Sequence, residues 1–311
     1  MQFRTEIATV PADFSISHAD KISLSGSCFT ENISSKFADA GFQTDVNPFG
    51  IVYNPLSLAD NLNQLLDDRR FTPDDLFHDK AIYHSFSHHS RFSGSDPAFV
   101  LEKINSRLEY SSAFLRKTDL LIVTFGTAFV YRLRRTGELV SNCHKIPAGQ
   151  FSYERLKIEE IVGEWTNLIN RLKKTLPSIK ILFTVSPVRH WKDGAHENQL
   201  SKALLLLAVD EIIKCNFYTY YFPSYEILMD DLRDYRFYAE DMLHPTSQAI
   251  EYIWEKFSDM FFDRQTKEKI REYERILKDL NHKAFHPESE TYKAFRKKAE
   301  AQLEQFFKER G

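Results

Sequence analysis

Cysteine is scarce in this chain, with Cys28, Cys143 and Cys215 the only three in 311 residues. An odd number at wide spacing cannot build a disulfide framework, which excludes a disulfide-stapled scaffold. Long apolar runs are missing as well, and none approaches the roughly 20 residues a membrane-spanning helix needs. The start, Met1-Gln2-Phe3-Arg4-Thr5-Glu6, lacks the basic region and apolar stretch of a signal peptide. Nor does one charge dominate: 41 Lys and Arg against 44 Asp and Glu leave a formal net charge of −3. That balance gives no electrostatic basis for a nucleic-acid partner or for an anionic membrane surface. Together these absences predict a soluble protein of a reducing cytoplasm, in which a cysteine serves as packing or as chemistry.

What is present is enough to fold. An apolar share of 42%, with 14% aromatic residues, excludes intrinsic disorder, and the length suffices to bury a core. Residues 21–25, 119–125 and 180–185 are short apolar runs, each ending in small or turn-forming residues. They read as strands covered on both faces, and residues 216–222 before Pro223 read as a fourth. Helical periodicity over 30–40, 158–176, 198–215 and 247–261 separates them. Strands alternating with helices predict an α/β fold, a three-layer α/β/α sandwich around a mostly parallel sheet. This body, residues 1–264, is followed by a charged helical extension over 265–311, broken at His286-Pro287. The extension holds 12 Lys and Arg and 9 Asp and Glu, and the mixed signs argue against a nucleic-acid tail. Ile276, Leu280, Phe295, Leu303 and Phe306 are expected to pack it on the body or on a second copy, making a homo-oligomer.

Sites in parallel sheets collect at the carboxyl ends of the strands. Gly26-Ser27-Cys28-Phe29-Thr30 follows the first strand. There a glycine permits a sharp turn, and the residue opening the next helix meets free N–H groups and the positive end of the helix dipole. A thiol or hydroxyl at such a point is placed to attack, although Ser27 or Thr30 can equally cap the helix while Cys28 packs. Asp241-Met242-Leu243-His244-Pro245 precedes the helix at Ser247. Its Asp, three residues before the His, can accept the imidazole Nδ1–H and leave Nε2 free as a base.

Further polar clusters mark the same face. Arg189 and His190 follow the third strand, and Arg189 suits a carboxylate or phosphate clamp as well as a structural ion pair. His144 lies in the loop around Asn142-Cys143-His144-Lys145. Residues 84–91 hold His84, His88 and His89, and they read as a loop over the site with His89 and Arg91 as substrate contacts. No zinc-ligand spacing occurs, so no metal is expected. No Walker-type or dinucleotide glycine loop occurs either, so no nucleotide or other cofactor is expected.

A nucleophile candidate after the first strand and an Asp-x-x-His before the last helix is the order of the SGNH/GDSL-type hydrolases. The sequence resembles one branch of these, the GSCFA family, through Gly26-Ser27-Cys28-Phe29-Thr30 and Asn47-Pro48-Phe49-Gly50-Ile51. Three further blocks follow in order: Phe125-Gly126-Thr127-Ala128, Ser141-Asn142-Cys143-His144-Lys145 and Ser186-Pro187-Val188-Arg189-His190. Residues 241–245 complete the series. The resemblance implies a flavodoxin-like three-layer fold and an acyl hydrolase or acyltransferase acting on an ester or thioester, with a carbohydrate ester among the candidate substrates. In the superfamily's Gly-Asp-Ser register Cys28 takes the nucleophile's place and Ser27 the preceding one, so Cys28 leads and Ser27 stays as the alternative. His244 would be the base and Asp241 its orienting carboxylate. The superfamily's oxyanion donors are the nucleophile's N–H, a glycine N–H matched here by Gly50, and an asparagine side chain. The block Gly126-Thr127-Ala128 has no asparagine, which leaves Thr127, beside Gly126, to donate instead. Losing such a donor costs about two to three orders of magnitude in rate. Asn47, His89, His144, Arg189 and His190 are the expected substrate contacts. The rival expectation is a protein that keeps the fold, has lost turnover, and binds a small anionic or carbohydrate ligand.

Overall fold

The computed structural model of the protein describes residues 4–283 and 285–309. Its strands are β1 (Lys21–Gly26), β2 (Gln43–Val46), β3 (Phe77–Asp79), β4 (Ile82–His84), β5 (Leu120–Phe125), β6 (Phe129–Leu133), β7 (Leu139–Val140), β8 (Phe151–Arg155), β9 (Lys180–Val185) and β10 (Thr219–Phe222). The longer helices are α1 (Cys28–Asp39), α2 (Pro55–Leu66), α3 (Pro97–Leu115), α4 (Ile158–Thr175), α5 (Gly194–Cys215), α6 (Ser247–Phe261), α7 (Arg264–Leu280) and α8 (Glu290–Lys308).

Five strands form one parallel sheet in the order β10-β9-β5-β1-β2. The chain therefore starts in β1, winds outward to β2, returns to β5 on the other side of β1 and continues to β9 and β10. Winding reverses between β1 and β5, and in such sheets the crevice at that reversal, past the carboxyl ends of the strands, is where ligands sit. Cys28 stands two residues beyond the end of β1. The three-layer α/β reading of the sequence is correct.

The apolar runs are continuous because both sheet faces are covered. Successive side chains point to opposite faces, so Leu121, Val123 and Phe125 enter one core with Ile181, Phe183 and Trp165. Leu24, Ile122 and Leu182 enter the other with Phe37 and Phe257. The reading missed β2, α2 and α3. β2 is a short edge strand in which Asp45 interrupts the apolar pattern by pairing with Arg107. α2 did carry a start signal: Asn54 accepts from the Ser57 N–H and Pro55 takes the first helical position. It also missed a small antiparallel sheet, β7-β6-β8, and the β3-β4 hairpin, both inserted beside the site.

The extension lies on the body. Thr266 donates to the Ile16 carbonyl at 2.9 Å, Ile270 joins the second core, and Phe306 packs on Tyr273. Of the five expected packing residues, Ile276 and Phe306 are buried, Leu280 and Leu303 half-buried, and Phe295 stays 38% exposed. Among the described residues no helix is long and apolar enough to cross a membrane.

Candidate active site

The turn after β1 is tight because Gly26 makes it so. A Cβ at Gly26 would lie 2.5 Å from the Thr124 carbonyl oxygen of β5. Its N–H is held by Asn47 Oδ1 at 2.9 Å, which pins the strand end before α1 starts. Ser27 is the N-cap residue and Cys28 opens the helix. The two adjacent candidates then separate. Ser27 is 1% exposed and its hydroxyl meets no partner. Cys28 is half-buried, with Sγ 3.5 Å from His244 Nε2. The structure thus brings Cys28, and not Ser27, to the histidine.

The loop of residues 241–245 is self-contained. Asp241 Oδ1 accepts the backbone N–H groups of Leu243 and His244, both at 2.9 Å, and Oδ2 lies 2.5 Å from His244 Nδ1. Met242 takes φ +60°, which folds the loop back so that carboxylate and ring meet. The two N–H groups, with the ring, hold the Asp241 carboxyl down at about 2. With an anionic acceptor at Nδ1, the Nδ1–H tautomer follows and Nε2 faces Sγ as an acceptor. Burial pushes the Cys28 thiol up, against the N–H groups of Phe29 and Cys28 itself and the charge of Lys202. The thiol is therefore protonated at neutral pH, and Nε2 is the protein acceptor its proton meets.

The expected oxyanion donors are engaged elsewhere. Gly50 N–H donates to the Asn47 carbonyl at 2.8 Å, and the N–H groups of Gly126 and Thr127 both donate to the Tyr53 carbonyl, at 2.7 and 3.1 Å. The Thr127 hydroxyl accepts the Phe129 N–H at 3.2 Å and lies 3.3 Å from Ser201 Oγ. Gly50 abuts His89 and Gly126 abuts Tyr53. Gly50 has φ +86°, and a Cβ there would stand 2.2 Å from His89 Cβ. The N–H groups that do reach the sulfur are those of Cys28 and Phe29 in the first turn of α1.

Two expected substrate contacts prove structural. Asn47 is 1% exposed, with Oδ1 on Gly26 and Nδ2 3.5 Å from Glu31 Oε1, so it positions the turn. His144 has both ring nitrogens occupied, Nδ1 by Ser90 Oγ at 3.2 Å and Nε2 by the Ser85 carbonyl at 2.8 Å. Burial lowers it to about 4, and it fastens the 84–92 loop as a neutral ring. That loop does approach the site. His89 sits against Gly50, and Arg91 donates to the Asn47 carbonyl at 2.7 Å and pairs with Glu31 at 3.1 Å. His190 is half-buried with its N–H on Asn198 Oδ1 and Nε2 unpartnered. Arg189 is half-buried after β9, with its guanidinium carbon 5.8 Å from the centre of the Trp191 ring. Among the described residues no three His, Cys, Asp or Glu converge as metal ligands.

Sequence reasoning places Lys202 among the polar residues at the entrance to the helix after the third strand and gives it no role. It is wholly buried on α5, with Nζ donating to the carbonyls of Gly126 at 2.8 Å and Ser186 at 2.7 Å. Those carbonyls follow the ends of β5 and β9, and the charges of Cys28 and Arg189 act on the ammonium in opposite directions. Burial lowers Lys202 to about 7. Helical spacing could have revealed it, because Lys202 shares the buried face of α5 with Asn198, Leu205, Val209 and Ile212.

The GSCFA family model matches residues 21–257. No curated protein matches the chain. Among solved structures, it is similar to a family 3 carbohydrate esterase of Clostridium thermocellum, with a TM-score of 0.37 and 12% identity over 81% of this chain and 97% of that one. A family 3 carbohydrate esterase from Talaromyces cellulolyticus gives a TM-score of 0.36 and 10% identity, covering 81% and 98%. An acetyl xylan esterase from the rumen bacterium Butyrivibrio proteoclasticus gives 0.41 and 11%, covering 82% and 65%.

Proposed function

The chain belongs to the GSCFA family, and we propose that it is a cysteine-dependent acyl hydrolase or acyltransferase whose substrate is an ester or thioester. One observation carries the reading: Cys28 Sγ, His244 and Asp241 form an unbroken hydrogen-bonded chain, with contacts of 3.5 and 2.5 Å. Nucleophile, base and orienting carboxylate in that order are what acyl transfer requires. Sγ attacks the acyl carbonyl carbon as its proton passes to His244 Nε2, and Asp241 stabilises the imidazolium that forms. The carbonyl oxygen becomes an oxyanion, for which the first-turn N–H groups of α1 are the available donors. His244 then returns the proton to the leaving alcohol or thiol, leaving an acyl group on Cys28 as a thioester. Water or another acceptor, deprotonated by His244, attacks that thioester and releases the thiol.

The test is alkylation of Cys28 by iodoacetamide, read on the Cys28 peptide, alongside turnover of short-chain ester and thioester substrates. His244→Ala should slow both labelling and turnover by at least about 100-fold. The committed N–H groups of Gly50, Gly126 and Thr127 favour a second reading, a ligand-binding protein without turnover. Equal labelling in wild type and His244→Ala, with no substrate consumed, would establish that reading and refute the first.

A further inference from the structure

Arg189 has no part in the proton relay of Cys28, His244 and Asp241, yet it follows the carboxyl end of β9 as Cys28 follows that of β1, on one edge of the same parallel sheet. Its neighbour Tyr238 ties it there: the two side chains are hydrogen-bonded, and the backbone of Tyr238 bridges to Pro245, the residue after His244. Between the two strands, buried Lys202 holds the Gly126 and Ser186 carbonyls, just past the ends of β5 and β9.

What sets Arg189 apart is the quality of its partners. A guanidinium carries five N–H donors in a planar fork. At Arg189 they meet the thioether of Met229, with Nη2 3.2 Å from Sδ, and the Tyr238 phenol, both neutral acceptors. Among the described residues it pairs with no carboxylate, while Arg91, Arg132 and Arg155 all do. The carboxylates around the cleft are already matched. Glu31 pairs with Arg91, Asp230 with Arg233 and Asp241 with His244, while Glu226 takes the Tyr221 hydroxyl and Asp193 that of Tyr153. Among the described residues Arg189 thus has no anionic partner of its own, and the carboxylates near it are committed elsewhere. A half-buried guanidinium left with weak acceptors holds its donors ready for a charged, planar-forked partner from outside the chain.

We propose that Arg189 is an anion subsite of this centre, and that the substrate carries a carboxylate or phosphate which the guanidinium fork binds over the Trp191 ring. The proposal rests on Cys28 being the nucleophile. It narrows the substrate class to an anionic ester or thioester.

Iodoacetate and iodoacetamide test it, because they deliver the same carbon to Cys28 with and without a negative charge. The ratio of the iodoacetate rate to the iodoacetamide rate, read on the Cys28 peptide, should fall about tenfold in Arg189→Gln and recover only in part in Arg189→Lys, which restores the charge but not the fork. Inorganic phosphate and succinate, added separately, should slow iodoacetate labelling in the wild type and not in Arg189→Gln. The stronger of the two assigns phosphate or carboxylate. A rate ratio equal in wild type and Arg189→Gln, or no slowing by either anion, would overturn the proposal. The outcome is independent of ester turnover, so failure of the acyl-transfer reading shows separately, as equal iodoacetamide labelling in wild type and His244→Ala.

Discussion

Replacing His88 with phenylalanine should make the protein markedly less sensitive to acid. His88 is 1% exposed, stacked on Phe49 at 4.7 Å and edge-on to Phe71 at 4.8 Å and Phe92 at 5.1 Å. Its Nδ1 meets Ser85 Oγ at 3.0 Å, and its Nε2 is buried without a partner, so a second ring proton would have no acceptor. Burial, with His144 and Arg69 nearby and Asp75 opposing them, lowers it from an ordinary 6.5 to about 3. Its folded pKa is depressed, so the unfolded chain takes the proton first. Stability is therefore lost as pH falls from about 6.5 toward 3. Between pH 7 and pH 5 the loss from this one ring is about 2 kcal/mol, set by the unfolded chain's titration because the folded ring is still neutral at pH 5. Urea melts at pH 7 and pH 5, at constant ionic strength, measure it. His88→Phe gives up the Ser85 hydrogen bond at both pH values, so only the difference between the two pH values carries the titration. The wild type should lose about 2 kcal/mol more than His88→Phe over that interval. Equal losses would refute the reasoning. The consequence reaches the site, because the segment His88 anchors also carries His89 against Gly50 and Arg91 on Asn47 and Glu31.

Gly26→Ala should destabilise the fold by more than about 3 kcal/mol, since its Cβ meets backbone that cannot yield; thermal unfolding reads this. Asp241→Asn should leave the melting temperature near wild type, because the loop is exposed. It should lower turnover by a factor on the order of 10³, through loss of the imidazole tautomer and its counter-charge. Lys202 is depressed from 10.5 to about 7, so the unfolded chain holds its proton to higher pH and wild-type stability should rise between pH 7 and 10. Lys202→Met lacks that rise and leaves two carbonyls without their donor, so its deficit should be larger at pH 10 than at pH 6. Parallel pH curves would contradict the assignment.

Much of this protein was open to reading from local pattern. Residues 180–185 and 247–261 were legible to the residue as β9 and α6, because buried parallel strands are continuous apolar runs and α6 has one apolar stripe. The Asp-x-x-His loop was legible because its hydrogen bonds close within four residues. What stayed hidden were functions that depend on where a polar group's partner lies. Gly50, Gly126 and Thr127 stand in motifs where the resemblance led us to expect oxyanion donors, but whether their N–H groups are free depends on the Asn47 and Tyr53 carbonyls. His144 and Asn47 are polar residues in conspicuous motifs, and only their surroundings reveal that each is a fastener.

The sequence by itself therefore determined the parallel α/β architecture, the GSCFA resemblance and the placement of a candidate nucleophile after the first strand. Those follow from hydrophobic periodicity, turn chemistry and motif order, all carried by neighbouring residues. Only the tertiary structure shows that Cys28, and not Ser27, lies against His244, because that contact is made by a fold that brings together residues 216 positions apart. It alone also exposed Lys202 as a buried cation and Arg189 as an arginine without a carboxylate, since burial and pairing are properties of space and not of the chain.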